Sequence, residues 1–235
     1  MSWLLAKALK PMLKDIPAHL ENSLELIKCI RASNFTSNKT LPYPCSLDVV
    51  SLYTSIPIQE AITSATDRLH TPILHLAKQD IRDLLTVTLN NMYFSFNGQV
   101  FRQKEGIPMG SNMSGILAIL FMDRLETTAL SSQLSISSYR RYVDDIYLQT
   151  TGEEMADQLH HTMNNLHPNL KFEIGKPEIT PNSLSLSLLD LQITISKCGK
   201  SSFKFYKGKT AKKPLFVHYQ STIPEKSKIN FIGNE

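Results

Sequence analysis

The stretch SSYRRYVDDIYLQT, residues 137–150, sets Asp144 and Asp145 side by side between two β-favouring flanks. So short a break allows only antiparallel pairing, because parallel strands need a crossover of many residues. Adjacent carboxylates also repel each other and resist burial. The acidic pair is therefore predicted at the exposed tip of a hairpin, aimed away from a core that Val143 and Ile146 enter. Taken alone, a solvated turn accounts for such a pair, and a motif this short matches often by accident.

The rest of the chain supplies helices and further antiparallel strands. Apolar periodicity predicts helices over 2–14 (Leu4, Leu5, Ala8, Met12) and 22–32, the second capped by Asn22. CSLDVVSLYTSIP reads as a strand ending near Tyr53, followed by helices from Pro57 to about Leu69 and from Ala77 to Asn90. MYFSFNGQVFRQKEG alternates around Asn97-Gly98, a strong hairpin signal. GIPMGSNMSGILAILFMDRLETTAL passes from a Pro/Gly loop into a helix with Ser111 or Asn112 as cap and Met113, Leu117, Leu120 and Phe121 on one stripe. A helix over 153–166 leads into the β-like LKFEIGK, LSLSLLDLQITIS and SSFKFYKGK. This order predicts an α+β fold, an antiparallel sheet packed on helices.

Composition bounds the function classes. With 42% apolar residues in 235, the chain can bury a real core, and a net charge of +4 is compatible with a polyanionic partner. Cys29, Cys45 and Cys198 are too widely spaced for a zinc knuckle or redox dithiol, and point to a reducing, intracellular compartment, nuclear or cytoplasmic. The basic N-terminal segment lacks the apolar run and cleavage site of a secretory signal, and no segment is apolar enough to span a membrane. From Lys197 to Lys213 there are seven lysines (197, 200, 204, 207, 209, 212, 213) and no acidic residue, interleaved with Phe203, Phe205 and Tyr206.

Asp48 gives the acidic pair its context. On a strand it shares a face with Val50 and Leu52, so a carboxylate interrupts an apolar row. Either it is an edge Asp bonded to backbone, or it converges with the hairpin tip. In that case three carboxylates could hold two Mg²⁺ ions roughly 3.5–4 Å apart. No His or Cys cluster offers another metal chemistry, and His160 and His161, without HExxH spacing, read as surface histidines.

LDVVSLYTSIP, GIPMGSNMSGILAILFMDRLE, RYVDD and LLDLQITI occur in the order and spacing of motifs A, B, C and E, and the chain resembles a reverse transcriptase palm over nearly its whole length. DVVSLYTSIP with PMGS, and the tail KKPLFVHYQSTIPEKSKINFIGNE, resemble the Penelope-like retroelements most closely. The resemblance implies an RNA-directed DNA polymerase acting on an RNA template, a DNA primer and dNTPs. It implies Asp48, Asp144 and Asp145 as catalytic metal ligands for two Mg²⁺, with Mn²⁺ as a substitute and the Val49 carbonyl completing one shell. Ser51 and Leu52 would offer N–H groups to phosphates, and Tyr53 would be the steric gate against a 2′-hydroxyl. Met109 and Gly110 would form the motif B loop that approaches the base pair, and Gln103 resembles a polar residue preceding it. Lys176 would take the motif D position able to protonate pyrophosphate, with Lys171 as competitor. Asp190 reads as structural. The resemblance assigns residues 1–195 to the palm, with residual fingers-side helices over 1–40. It assigns residues 196–235 to a basic primer-grip and partial thumb region, where Lys204, Lys207, Lys209, Lys212 and Lys213 would contact the duplex.

Three departures shape the expectation. Asn112 and Gly115 stand where the family usually has Pro after the motif B glycine and serine, and YKGKT lacks a proline of the related tail. The basic fingers segment, a complete thumb and a GIY-YIG endonuclease are also absent. The chain is therefore expected to be a piece of a longer polyprotein or a decayed copy. The alternative to an active polymerase is an inactive remnant that binds nucleic acid. A two-metal phosphodiesterase would leave Tyr53 and the motif B loop unexplained.

Overall fold

The structure is a computed structural model that describes residues 1–33, 42–70, 72, 75–130 and 136–205. Tyr206, Lys207, Lys209, Lys212, Lys213 and the tail motif lie outside the described residues.

Helix α1 spans Ser2–Leu9 and gives way to a 3₁₀ stretch over Lys10–Asp15. The single helix expected over 2–14 changes at Pro11, which has no N–H to donate and crowds the preceding turn. Helix α2, Ser23–Ala32, starts as expected, with the Asn22 side chain accepting from the Glu25 N–H at 3.1 Å. Strand β1, Tyr43–Val49, stops before Tyr53. Ser51 adopts φ 51°, and its carbonyl collects the Thr54 and Ser55 hydroxyls, winding α3, Leu52–Ser55. Helices α4 (Ile58–Asp67) and α5 (Lys78–Asn90) follow. Strands β2 (Tyr93–Phe96) and β3 (Gln99–Arg102) form the expected hairpin, with Asn97 and Gly98 both at positive φ.

Helix α6 spans Ser114–Leu130. Its residues from Ile116 to Met122 are all buried, so the expected single stripe is replaced by a central helix, packed on several sides. Strands β4 (Ile136–Tyr142) and β5 (Asp145–Thr150) form the acidic hairpin, followed by α7, Glu153–Asn164. The remaining strands are β6 (Phe172–Gly175), β7 (Glu178–Ile179), β8 (Ser183–Leu188), β9 (Leu191–Ser196) and β10 (Ser201–Phe205).

Strands β4-β5-β1-β6 make one antiparallel sheet, the split β-α-β-β-α-β topology. Tyr43, Cys45, Leu47 and Val49 point into the helical layer, where burying a side chain of this size contributes about 1.5–3 kcal/mol. Asp48 lies on the opposite, exposed face with Ser46. The expected row with Val50 and Leu52 does not form, because the strand has ended and the residues of the Ser51 turn no longer alternate.

A second sheet, β10-β9-β8-β7, packs with α2 around Tyr147, through Leu26, Ile30, Leu186 and Ile193. Ser23 Oγ donates to Asp190 Oδ1 at 2.5 Å, the structural role expected of Asp190. Residues 18–20 cover the free edge of β4: Arg141 N–H donates to the Ala18 carbonyl, and Leu20 N–H to that of Arg141. The architecture is the α+β arrangement expected from the sequence, an antiparallel sheet packed on helices.

Candidate active site

Antiparallel register decides which carboxylates meet. Tyr142 pairs with Asp145, Asp145 with Asp48, and Asp48 with Glu173, a row across all four strands on one face of the sheet. The Val49 N–H donates to the Asp144 carbonyl at 3.2 Å, fixing the hairpin tip to the end of β1. Partial burial, then the Asp144 and Asp48 charges, push the Asp145 carboxyl up to about 6. Asp48 is also raised, by loss of water and then by Asp144 and Glu173. Glu173 was missed in the sequence: alternation separates it from Phe172, but only register reveals Asp48 as its neighbour.

The tip is held from beneath by a buried ion pair. Arg141 is 0% exposed and Glu126, on α6, 2%. Arg141 Nε donates to Glu126 Oε1 at 2.5 Å, and Nη2 to Oε2 and to the Ile119 carbonyl, both at 3.1 Å. Nη1 donates to the Val143 carbonyl at 3.2 Å, inside the turn. Tyr139 Oη donates to Glu126 Oε1 at 2.6 Å, and burial with the Glu126 charge raises the phenol well above its usual value. Val143 needs such support, since a β-branched residue at φ 54° is strained.

Tyr53 stands beside this tip. Burial first, then Asp144 and Tyr142, raise its phenol, so the ring and the hairpin share one environment. Its carbonyl accepts from the Ile107 N–H at 2.7 Å, tying α3 to the glycine loop. Gly106, at φ 73°, sits where a Cβ would lie 2.6 Å from Thr54 Cα, so only glycine lets the loop cross there. Sequence reasoning singled out Met109 and Gly110 instead; Met109 is exposed, and Gly110 has open space around it at φ 83°. A Cβ on Gly115 would stand 3.7 Å from Tyr53 Oη, so this departure from the family pattern borders the Tyr53 ring.

Residues 1–178 match the family described as reverse transcriptase (RNA-dependent DNA polymerase). The chain belongs to the reverse transcriptase family. The telomerase reverse transcriptase of Tetrahymena thermophila is 28% identical over 49% of this chain and 10% of its own length. Among solved structures, Candida albicans telomerase in complex with a fragment of telomeric RNA superposes with a TM-score of 0.65 at 12% identity. It covers 86% of this chain, which spans 39% of that one. The RNA-dependent RNA polymerase of BmCPV matches at 0.52 and 12% identity, over 82% of this chain and 19% of that one. This reverse transcriptase chain thus spans less than half of these relatives, and the two structural likenesses speak for the palm fold.

The other residues singled out in the sequence of this reverse transcriptase chain are less gathered. Lys176 is bound to Glu153 and Asp157 on α7, at 2.8 and 2.9 Å. It lies beyond Gly175, which pairs with Ser46, while Asp48 pairs with Glu173, so Lys176 is displaced along β6 from the acidic row. The Lys171 carbonyl accepts from the Val50 N–H at 2.9 Å, which puts its backbone beside the end of β1. Gln103 spends its side chain on the Glu105 carbonyl at 3.0 Å. Lys204 is exposed on β10. His160, expected at the surface, is half-buried and lies 2.7 Å from the Phe172 carbonyl, because α7 packs against β6.

Among the described residues no three His, Cys, Asp or Glu side chains are gathered closely enough to hold a metal ion as they stand. The donor chemistry nonetheless fits a hard divalent cation. Carboxylates from β1 and the hairpin face one another, and burial first, then their mutual repulsion, raise the Asp145 carboxyl, a cost that a cation would lessen. Among the described residues no helix is long and apolar enough to cross a membrane.

Proposed function

We propose that this chain is the polymerase core of a retroelement reverse transcriptase of the Penelope-like kind, extending a DNA primer on an RNA template with dNTPs. The observation that carries the reading is the in-register approach of Asp48 and Asp145, with Tyr53 beside Asp144. The Penelope-like kinship rests on the wording of DVVSLYTSIP, PMGS and the C-terminal tail. An intracellular site, nuclear or cytoplasmic, accords with three free cysteines.

In this reading Asp48, Asp144 and Asp145, with the Val49 carbonyl, hold two Mg²⁺, or Mn²⁺ in their place. When bound, such ions activate the primer 3′-hydroxyl and neutralise charge on the triphosphate and the leaving pyrophosphate. The chain's own residues position the reactants. Ser51 and Leu52 open the α3 turn, whose first N–H groups have no acceptor within the turn and can bind phosphate oxygens. The Tyr53 backbone is held by Ile107 and the Gly106 crossing, and its ring takes the volume a 2′-hydroxyl would need. Met109 and Gly110 approach the nascent base pair. Lys171 replaces Lys176 as the proton donor to pyrophosphate, because Lys176 is occupied by two carboxylates. Lys204, with Lys207, Lys209, Lys212 and Lys213, neutralises duplex phosphates.

The test is primer extension on an RNA template with dNTPs. Wild type should extend the primer in Mg²⁺ and Asp144→Asn should not. Equal behaviour of the two would refute the carboxylate assignment. Duplex binding that is indifferent to Mg²⁺, without extension, would favour the inactive remnant.

A further inference from the structure

The N-terminal segment carries a feature that the catalytic reading does not use. Lys7, Lys10 and Lys14 line one cleft of about 580 Å³, together with Tyr142 and an apolar floor that includes Leu20 and Ile119. Glu21 is the one carboxylate on its wall. At the rim Lys7 Nζ lies 5.4 Å from the Trp3 ring centroid, and Trp3 is 62% exposed.

We propose that this cleft is a phosphodiester-binding track for the primer strand. Four observations converge on that ligand. The volume lies in the range of small-ligand sites, about 300–1,000 Å³, which suits a nucleotide unit. Three ammonium groups against one carboxylate favour a polyanion, and lysines beside an exposed aromatic ring are the combination that binds a strand by its phosphates and its bases. The apolar floor suits sugar and base faces, with the lysine stems extending it. Finally, Tyr142 forms part of the cleft and is the register partner of Asp145, so the cleft opens beside the acidic row that a primer 3′ end must reach. A membrane surface fits less well, because Leu5, Ala8 and Leu9, the apolar side of α1, are already buried.

This inference rests on the polymerase reading for its choice of strand, and binding without metal or dNTPs separates the two. The full chain would be titrated against a labelled primer–template by fluorescence anisotropy between low and moderate salt. Each neutralised phosphate contributes about 0.7–0.9 to the log–log salt slope, so Lys7→Glu/Lys10→Glu/Lys14→Glu should lower the slope by about 2–3 and weaken low-salt binding by about 30-fold or more. The neutral Lys7→Gln/Lys10→Gln/Lys14→Gln variant should show the same slope change, and it stands in if charge reversal impairs folding. A photo-crosslinking residue at Trp3 should label the primer strand. Wild-type affinity and slope in a variant with an unchanged melting curve would overturn the proposal, as would crosslinks to the template strand alone. Loss of extension with the cleft dependence intact would count against the polymerase reading only.

Discussion

Replacing Arg141 by Met tests whether the buried ion pair supports the acidic hairpin. The substitution retains most of the volume but leaves the Glu126 carboxylate, 2% exposed, with Tyr139 Oη as its remaining side-chain donor. It also removes the donors to the Ile119 and Val143 carbonyls. Breaking a buried pair from one side costs about 3–5 kcal/mol, because the surviving charge stays desolvated. For a chain of this size about 4 kcal/mol corresponds to a fall in melting temperature of about 8–16 °C. Glu126→Gln, which strands the guanidinium, should cost a similar amount. Arg141→Met/Glu126→Met removes both charges and should recover to within about 2 kcal/mol of wild type, since apolar replacement of a whole buried pair is often close to neutral. Urea unfolding followed by far-UV circular dichroism measures all four proteins, and suits a chain whose single tryptophan is largely exposed. A single Arg141→Met variant within about 1 kcal/mol of wild type would refute the argument, as would additive rather than coupled losses.

Gly106→Ala should destabilise by about 3 kcal/mol or more, combining a left-handed φ with a Cβ forced against Thr54 backbone. Gly110→Ala, in open space, should cost about 1 kcal/mol, and chemical denaturation that ranks the two equally would refute the crossing argument. The Asp145 carboxyl is raised from 3.8 to about 6, so the folded state holds its proton more tightly than the unfolded chain. Its stabilising contribution is complete below pH 3.8 and lost as pH rises through about 6. Asp145→Asn in metal-free buffer should therefore stabilise the fold at pH 8 by about 1 kcal/mol after allowance for solvent screening, and by nothing near pH 3.5. Melting curves at the two pH values check this, and destabilisation at pH 8 would refute it. Lys171→Ala should slow single-nucleotide incorporation by about 10²-fold or more, whereas Lys176→Ala should leave it within a few-fold. The opposite ranking in rapid-quench kinetics would return the proton-donor role to Lys176.

Much of the architecture was legible because its signals are local. Asn22 caps α2, Asn97-Gly98 turns the β2–β3 hairpin, and the Asp-Asp pair sits at the β4–β5 turn, each set by residues close in sequence. The end of β1 was misread because Val50 and Tyr53 carry β-favouring side chains, while the left-handed Ser51 and its carbonyl bonds decide the turn. Asp48 lies on β1 as expected, but its supposed apolar companions belong to that turn. His160 looked like a surface residue because its partner, the Phe172 carbonyl, comes from another element.

By itself, the sequence determined the kinds of element, the two short hairpins and the presence of three carboxylates in motif order. Those follow from backbone preferences and side-chain periods that act over a few residues. Only the tertiary structure decided that Asp48 faces Asp145 and Glu173, that Lys176 is taken up by Glu153 and Asp157, and that Arg141 is paired with Glu126 beneath the turn. A one-residue slip of register would send every one of those side chains to the other face, and nothing local forbids it. Register is fixed by burying Leu47, Ile146 and Phe172 together against the helices, a choice made by packing across the whole chain.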